Sequence, residues 1–507
     1  MLSFGSKFEN QKGFEMSALR EHWGSRLAFI LAATGSAVGL GNIWKFPYIA
    51  HQNGGGKFVL LYLVCIVAVG LPILVAEMMV GRATQKSPVA AVEELSGKKS
   101  IWKILGFLGV AAAFVILSFY SVVAGWVMHY IYLAVDNTFA TMSTEDYGKM
   151  FGTIYASPSI NLFWSTAFMG VTIWIVHFGV AGGIEKCAKI LMPVLMILMV
   201  GILIRCLGLP NDGFSQAWNF LFSTSGELHG EAMLEALGHS FFTLSLGMGA
   251  MLTYGSYLDR GTNLLSAGFW VAFFDTLIAI IASLIIMSIM FAYGGEVGKS
   301  VGLVFMSLPQ EIVKMPGGYL INLSFFILLF FAALTSAISL LEVAVAYLID
   351  KGWTRSQSTW TMGIAIWIVS IPSALSGSKG WMSAFKDFTF FDIAGKTTFF
   401  DKMDYLASNW MLPVGGLLIA LYVGYSLKSA ITKEEFTTGF QSMGNLLYGP
   451  WNFFTKVVAP IVILVIIAIE SESLIFKSSN LKEGVNHYFE GLLGAKKLQS
   501  EQEIPSK

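Results

Sequence analysis

Apolar runs long enough to cross a hydrocarbon core recur along the chain, separated by shorter polar stretches. At 1.5 Å of rise per residue, about 20 residues span a bilayer core of roughly 30 Å. The pattern predicts eleven spans, at roughly 26–50, 57–82, 103–135, 160–180, 186–208, 236–258, 265–294, 318–350, 358–376, 404–427 and 449–472. Two of them are interrupted. Span 1 carries TGSAVGLGNIWKFP at 34–47, and span 6 carries GHSFFTLSLGMGAMLTYGSYL at 238–258, with Gly247 and Gly249 in mid-membrane. The interruptions fall five spans apart, the spacing expected of two inverted five-helix repeats that each begin with a broken helix.

The expected organisation is an N-terminal segment at 1–25, a first repeat at 26–208, an extracellular loop at 209–235 and a second repeat at 236–427. A cytoplasmic loop with helix 11 follows at 428–472, and a polar tail at 473–507. Composition agrees: 55% of the 507 residues are hydrophobic and 13% charged, which reads as an all-α integral membrane protein. Net charge is zero, so no basic surface invites nucleic acid. Cys65, Cys187 and Cys206 fall in apolar runs and read as buried thiols. Residues 1–25 lack the features of a signal peptide, so span 1 serves as the insertion signal. Lys and Arg of the early loops gather on the side of the N-terminus, which the positive-inside rule makes cytoplasmic. The four lysines Lys379, Lys386, Lys396 and Lys402 fit that orientation less well.

The glycines of span 1 have two readings. GSAVG is a small-xxx-small match that lets helices approach closely. Asn42 and the second interruption favour a break, whose freed carbonyls suit cations and whose freed amides suit a carboxylate. Asp275 stands alone between two apolar runs, as an internal hydrogen-bond partner or an ion ligand. Glu77 and Glu342 read equally as acceptors for amides freed by breaks or as transport residues. In LTSAIS of span 8, Thr335, Ser336 and Ser339 either bond back to the preceding turn or face a cation beside Ala332. His129, His177 and His239 have no metal-ligand spacing, and His239 alone sits at the entrance to a break. No hydrolase, zinc or phosphate-cradling motif argues for an enzyme.

REHWGSRLAFILAATGSAVGLGNIWKFP, NGGGKF, FFTLSLGMG, TYGSYL and LTSAIS, in this order, resemble the neurotransmitter:sodium symporters, particularly bacterial amino-acid transporters related to the leucine transporter. The resemblance runs from about Arg20 to span 10. It implies sodium-coupled symport of a small-molecule amino acid across the bacterial inner membrane, with two sodium sites. Site 1 would use Ala37, Asn42, Thr243, Asp275 and the substrate's carboxylate. Site 2 would use carbonyls of Gly35, Val38 and Ala332 with the hydroxyls of Thr335 and Ser336. Substrate would lie among Ala37, Gly39, Leu40, Gly41, Ile116, Tyr120, Phe242, Thr243, Ser245, Met248, Ser336, Ser339 and Leu340, an apolar lining that suits a neutral, hydrophobic L-amino acid.

Monoamine-carrying relatives place an aspartate where Gly39 stands, so a free amino-acid carboxylate is expected here. The implied gates are Lys45 with Asp404 outside, and Arg20 with Asp350 inside, where Trp23 and Tyr257 pack. The family usually has arginine at Lys45, and lysine makes no bidentate fork. Asp275, an asparagine in the leucine transporter, supplies a fixed negative charge, so no chloride is expected. His239 replaces a glutamine, which suggests pH-dependent activity. Gly183 and Pro193 resemble a helix-5 motif at which relatives unwind, the plain alternative being a proline kink. The alternatives are transport of another zwitterion, such as GABA or taurine, and a transporter-like sensor without accumulation. Oligomeric state is left open.

Overall fold

The first break is written into local sequence. Ser25 accepts the Ala28 amide at 3.1 Å and starts helix α1 (Arg26–Ala37). The backbone turns extended at Val38 (φ −68°, ψ 109°) and resumes as a wide turn over Gly41–Lys45, then as α2 (Phe46–Gln52), with Pro47 in its first turn. The two halves meet at 57°. This computed structural model describes residues 21–228, 232–298, 301–388 and 396–475. They form helices α3 (Gly56–Thr84), α4 (Lys103–Val135), α5 (Pro158–His177), α6 (Val180–Cys206), α7 (Ala232–Thr243), α8 (Ala250–Gly255), α9 (Leu264–Tyr293), α10 (Gly318–Asp350), α11 (Arg355–Ala374), α12 (Phe399–Ser426) and α13 (Gln441–Glu472).

Among the described residues, eight helices are long and apolar enough to cross a membrane, and the bent pair α1–α2 makes a ninth. The two other expected spans take different forms. Span 6 is divided into α7, of 12 residues, and α8, of 6. Span 9 is α11, whose first turns, RSQSTW, are polar. Span 5 begins earlier than its apolar run, at Val180. The loop expected at 209–235 holds a helix at Gly213–Phe222, and the cytoplasmic loop one at Ser429–Thr437.

The second break has a different mechanism. Ser245 (φ 54°), Gly247 (φ 79°) and Gly249 (φ 71°) are left-handed, a conformation glycine adopts freely and serine only under strain. A Cβ on Gly247 would stand 2.2 Å from the Leu412 carbonyl, so the break lies directly against the backbone of α12. Glu77 of α3, fully buried, accepts the freed Gly247 amide at 2.7 Å. The acceptor reading of Glu77 is therefore the one seen. Glu77→Ala leaves that amide unpaired in a dry interior, at a cost of about 2 kcal/mol. The purified variant should melt at lower temperature, and an unchanged Tm would show that the amide finds another partner.

Helix α6 is continuous through Pro193, and the stretch from Gly183 to Pro193 is helical. A Cβ on Gly183 would approach the Ile175 carbonyl to 2.0 Å, so this glycine serves close backbone packing. Glu185 also ties α6 to the start of the described chain, accepting the Gly24 amide at 2.8 Å and pairing with Lys189 at 2.5 Å. The unwinding suggested by the motif is absent from this conformation.

Candidate functional site

The breaks of spans 1 and 6 face each other across α9 and α10, and the expected residues gather there in three groups. Asp275, in mid-α9 and wholly buried, is the centre of the first. Its carboxylate accepts from the Asn42 amide at 2.7 Å and from the Thr243 hydroxyl at 3.0 and 3.1 Å. The Asn42 amide also reaches Thr243 Oγ1 at 2.9 Å, and its oxygen accepts the Gly39 amide at 3.0 Å. Among the described residues no Lys, Arg or His pairs with Asp275. A buried carboxylate held only by neutral donors is costly, and a hard monovalent cation among these oxygens offsets that cost.

In the second group, Ser336 Oγ of α10 lies 3.4, 3.2 and 3.0 Å from the carbonyls of Gly35, Ser36 and Val38. Thr335 Oγ1 reaches back to Phe331 at 3.0 Å and to Ala332 at 3.2 Å. Back-bonding within LTSAIS is thus seen for Thr335 and Ser339, while Ser336 turns toward the carbonyls of the first break. Gly35 makes the approach possible, since a Cβ there would stand 3.0 Å from Thr335 Cβ and 3.1 Å from Met192 Sδ. Carbonyls of α1 and hydroxyls of α10 form an uncharged oxygen set of the type that suits sodium.

The third group lines a cavity of about 30 Å³. Ala37, Gly39, Leu40, Gly41, Ile116, Tyr120, Phe242, Ser245, Met248, Ser336 and Leu340 all contribute to it. Thr243 and Ser339 are outside the lining. Thr243 belongs to the Asp275 cluster, while Ser339 donates to the Ser336 carbonyl at 2.8 Å and accepts from Ser36 at 2.7 Å. The Tyr120 hydroxyl is buried close to the Leu40 backbone and the Ser336 hydroxyl, with no hydrogen bond of full geometry among the described residues. It lies beside the backbone of Leu40 at the break, an arrangement that suits an anionic group.

On the side expected to face the cytoplasm, the described residues pack tightly below this site. Trp23 is 5% exposed; its indole N–H donates to the Tyr254 carbonyl at 3.0 Å and its amide to the Tyr257 carbonyl at 3.1 Å. The Tyr257 hydroxyl donates to Glu342 at 2.5 Å, and Arg355 grips both oxygens of Glu342 at 2.9 and 2.6 Å. Asp350 accepts the Ser87 amide at 2.6 Å, while its expected partner Arg20 lies outside the described residues. The opposite side, expected to be the outer one, carries a cavity of about 310 Å³ lined by Lys45, Glu235, His239, Phe242, Asn409 and Glu470 among others. Lys45 and Asp404 make no ion pair there: the ammonium lies 5.2 Å from the Phe242 ring centre, and Asp404 accepts from Ser408 at 3.1 Å. His239 is buried, stacks on Phe46 at 5.5 Å, and has no hydrogen-bond partner on either ring nitrogen among the described residues.

A chain with two opposed helix breaks, a buried acid among oxygens and a site packed tightly on one side matches the sodium:neurotransmitter symporter family model over residues 20–150 and 158–488. The chain belongs to that family. It is similar to an uncharacterized sodium-dependent transporter, YhdH, of Bacillus subtilis, 35% identical over 88% of this chain and 96% of the relative. An uncharacterized sodium-dependent transporter of Haemophilus influenzae is 32% identical over 88% of this chain and 97% of its own. Among solved structures, MhsT in complex with L-phenylalanine matches with a TM-score of 0.78 and 41% identity, over 89% of this chain and 99% of the other. The chain is therefore a sodium-dependent, multi-pass membrane symporter and not an enzyme.

In this symporter, two features escaped the sequence reading. Ser36 lines the small cavity and donates to Ser339, yet within GSAVG it reads only as a small packing residue. Arg355, at the start of α11, neutralises the buried Glu342 and also bonds the Val176 carbonyl at 3.0 and 2.9 Å. The available signal was an acid inside span 8 followed, thirteen residues on, by an arginine at the next membrane boundary.

Proposed function

We propose that this symporter carries neutral, hydrophobic L-amino acids with sodium by alternating access, across a bacterial cytoplasmic membrane and with its N-terminus inside. The observation that carries the reading is the cavity at the two breaks. One wall presents the Tyr120 hydroxyl and the backbone of the break beside it, and the rest is formed by Leu40, Ile116, Phe242, Met248 and Leu340. An α-carboxylate suits the first and an apolar side chain the second. L-phenylalanine in the MhsT structure supports the same class.

Asn42, Thr243, Asp275 and the Ala37 carbonyl hold one sodium, with the substrate's carboxylate completing the shell. Gly35, Val38, Ala332, Thr335 and Ser336 hold a second. Sharing the first site couples the two cargoes: each raises the other's affinity by the same factor. A competition panel tests the substrate class. Leucine, phenylalanine and methionine should displace bound label, whereas GABA and taurine should not; displacement by the ω-amino acids would overturn it.

Asp275 brings its own negative charge to the site, so transport proceeds without chloride. Replacing chloride by gluconate at constant sodium should leave uptake unchanged, and a sharp fall would contradict the fixed-charge argument.

A further inference from the structure

The outer cavity sets Lys45 on one wall and Glu470, from α13, on another. Neither is in an ion pair among the described residues. Both oxygens of Glu470 are already oriented: Oε2 accepts from the Tyr405 hydroxyl at 2.8 Å and Oε1 from the Asn409 amide at 2.9 Å. Asp404, the counterpart implied by family resemblance, is not among the cavity's lining residues and is bonded to Ser408.

We infer that Glu470, on the helix that follows the second repeat, is the carboxylate that Lys45 engages when the outer side closes. Two physical features make the match. One neutral donor already sits on each oxygen of Glu470, at 2.8 and 2.9 Å, which leaves one lone pair on each for a further donor. A lysine ammonium is a compact charge on a flexible stem and needs only one remaining lone pair. Second, Tyr405 and Asn409 fix the carboxylate in advance, so only the lysine side chain loses freedom on pairing. Because those two donors belong to α12, the pair would join the turn that precedes α2 with α12 and α13 in a single closing movement. Glu470 acts here as a positioning residue for the gate, with no contact to substrate.

The inference rests on alternating access by the family and is independent of the amino acid proposed above. Gly238 lines the same cavity, and a Cβ added there meets nothing within 4 Å, so Gly238→Cys is a tolerated reporter. The full chain in membranes is labelled from outside with a charged thiol reagent in sodium and in potassium. The ratio of the two rates reads outer closure, against a parent whose three native cysteines give the background. Lys45→Met and Glu470→Gln should each reduce the protection in the closed state by about fivefold, the double variant no further, and Asp404→Asn should keep it. The exchange of Lys45→Glu with Glu470→Lys should recover protection, which a merely structural role for Glu470 would not allow. Protection that survives Glu470→Gln, or losses that multiply in the double variant, overturn the inference.

Discussion

Asp275→Asn lowers sodium affinity by about a hundredfold while leaving the fold intact. The substitution keeps the side chain's size and an oxygen for the Asn42 and Thr243 donors, now at 2.7 to 3.1 Å, and removes only the charge. A unit charge about 4 Å from a cation is worth up to roughly 4 kcal/mol in a partly screened interior, and about 2.7 kcal/mol is a hundredfold. The apo variant loses nothing comparable, because a carboxylate with no cationic partner is itself a burden in a dry interior. A sodium titration of Tm separates the two effects: sodium should stabilise the parent strongly and the variant only at far higher concentration. Sodium affinities within threefold of each other would mean that Asp275 is a structural acceptor.

Gly39→Asp abolishes binding of amino acids with a free carboxylate. A Cβ at this position would stand 3.0 Å from Ser336 Oγ and 3.3 Å from the Tyr120 hydroxyl, so the new carboxylate enters the cavity beside the group proposed to receive the substrate's own. Crowding and like-charge repulsion act together, and a loss of at least about a hundredfold in affinity follows. Gly39→Ala carries the crowding alone and should cost about tenfold, since the Ser336 and Tyr120 hydroxyls can give way slightly. An apolar amine without a carboxylate should be affected least by the aspartate. Equal binding of phenylalanine by parent and Gly39→Asp would remove the carboxylate from this wall of the cavity.

The features that the sequence made legible are those with a local physical cost. Glycines at 35, 39 and 41 and at 247 and 249 are expensive in a membrane helix, and both clusters are breaks or their flanks. Asp275 was legible because an acid so isolated in an apolar run needs a partner, and the structure gathers Asn42 and Thr243 around it. Features that depend on distant pairing were not. Nothing local to Glu342 distinguishes an acceptor for freed amides from the ion-paired residue that Arg355 makes it. Gly183 and Pro193 carry the same letters whether the helix unwinds or is merely kinked at the proline, and in this conformation the stretch is helical. Lys45 and Asp404 were paired by resemblance alone, and in the structure each has another neighbour, the Phe242 ring for the one and the Ser408 hydroxyl for the other.

The central claim is that a buried carboxylate at Asp275 and a small apolar cavity make sodium and substrate bind as a unit. Binding of labelled L-phenylalanine to the purified full chain, in sodium and in potassium at equal ionic strength, tests it most directly. The account predicts saturable binding in sodium, weaker by at least about tenfold in potassium, a coupling of about 1.4 kcal/mol or more. Equal affinity in the two salts would contradict it.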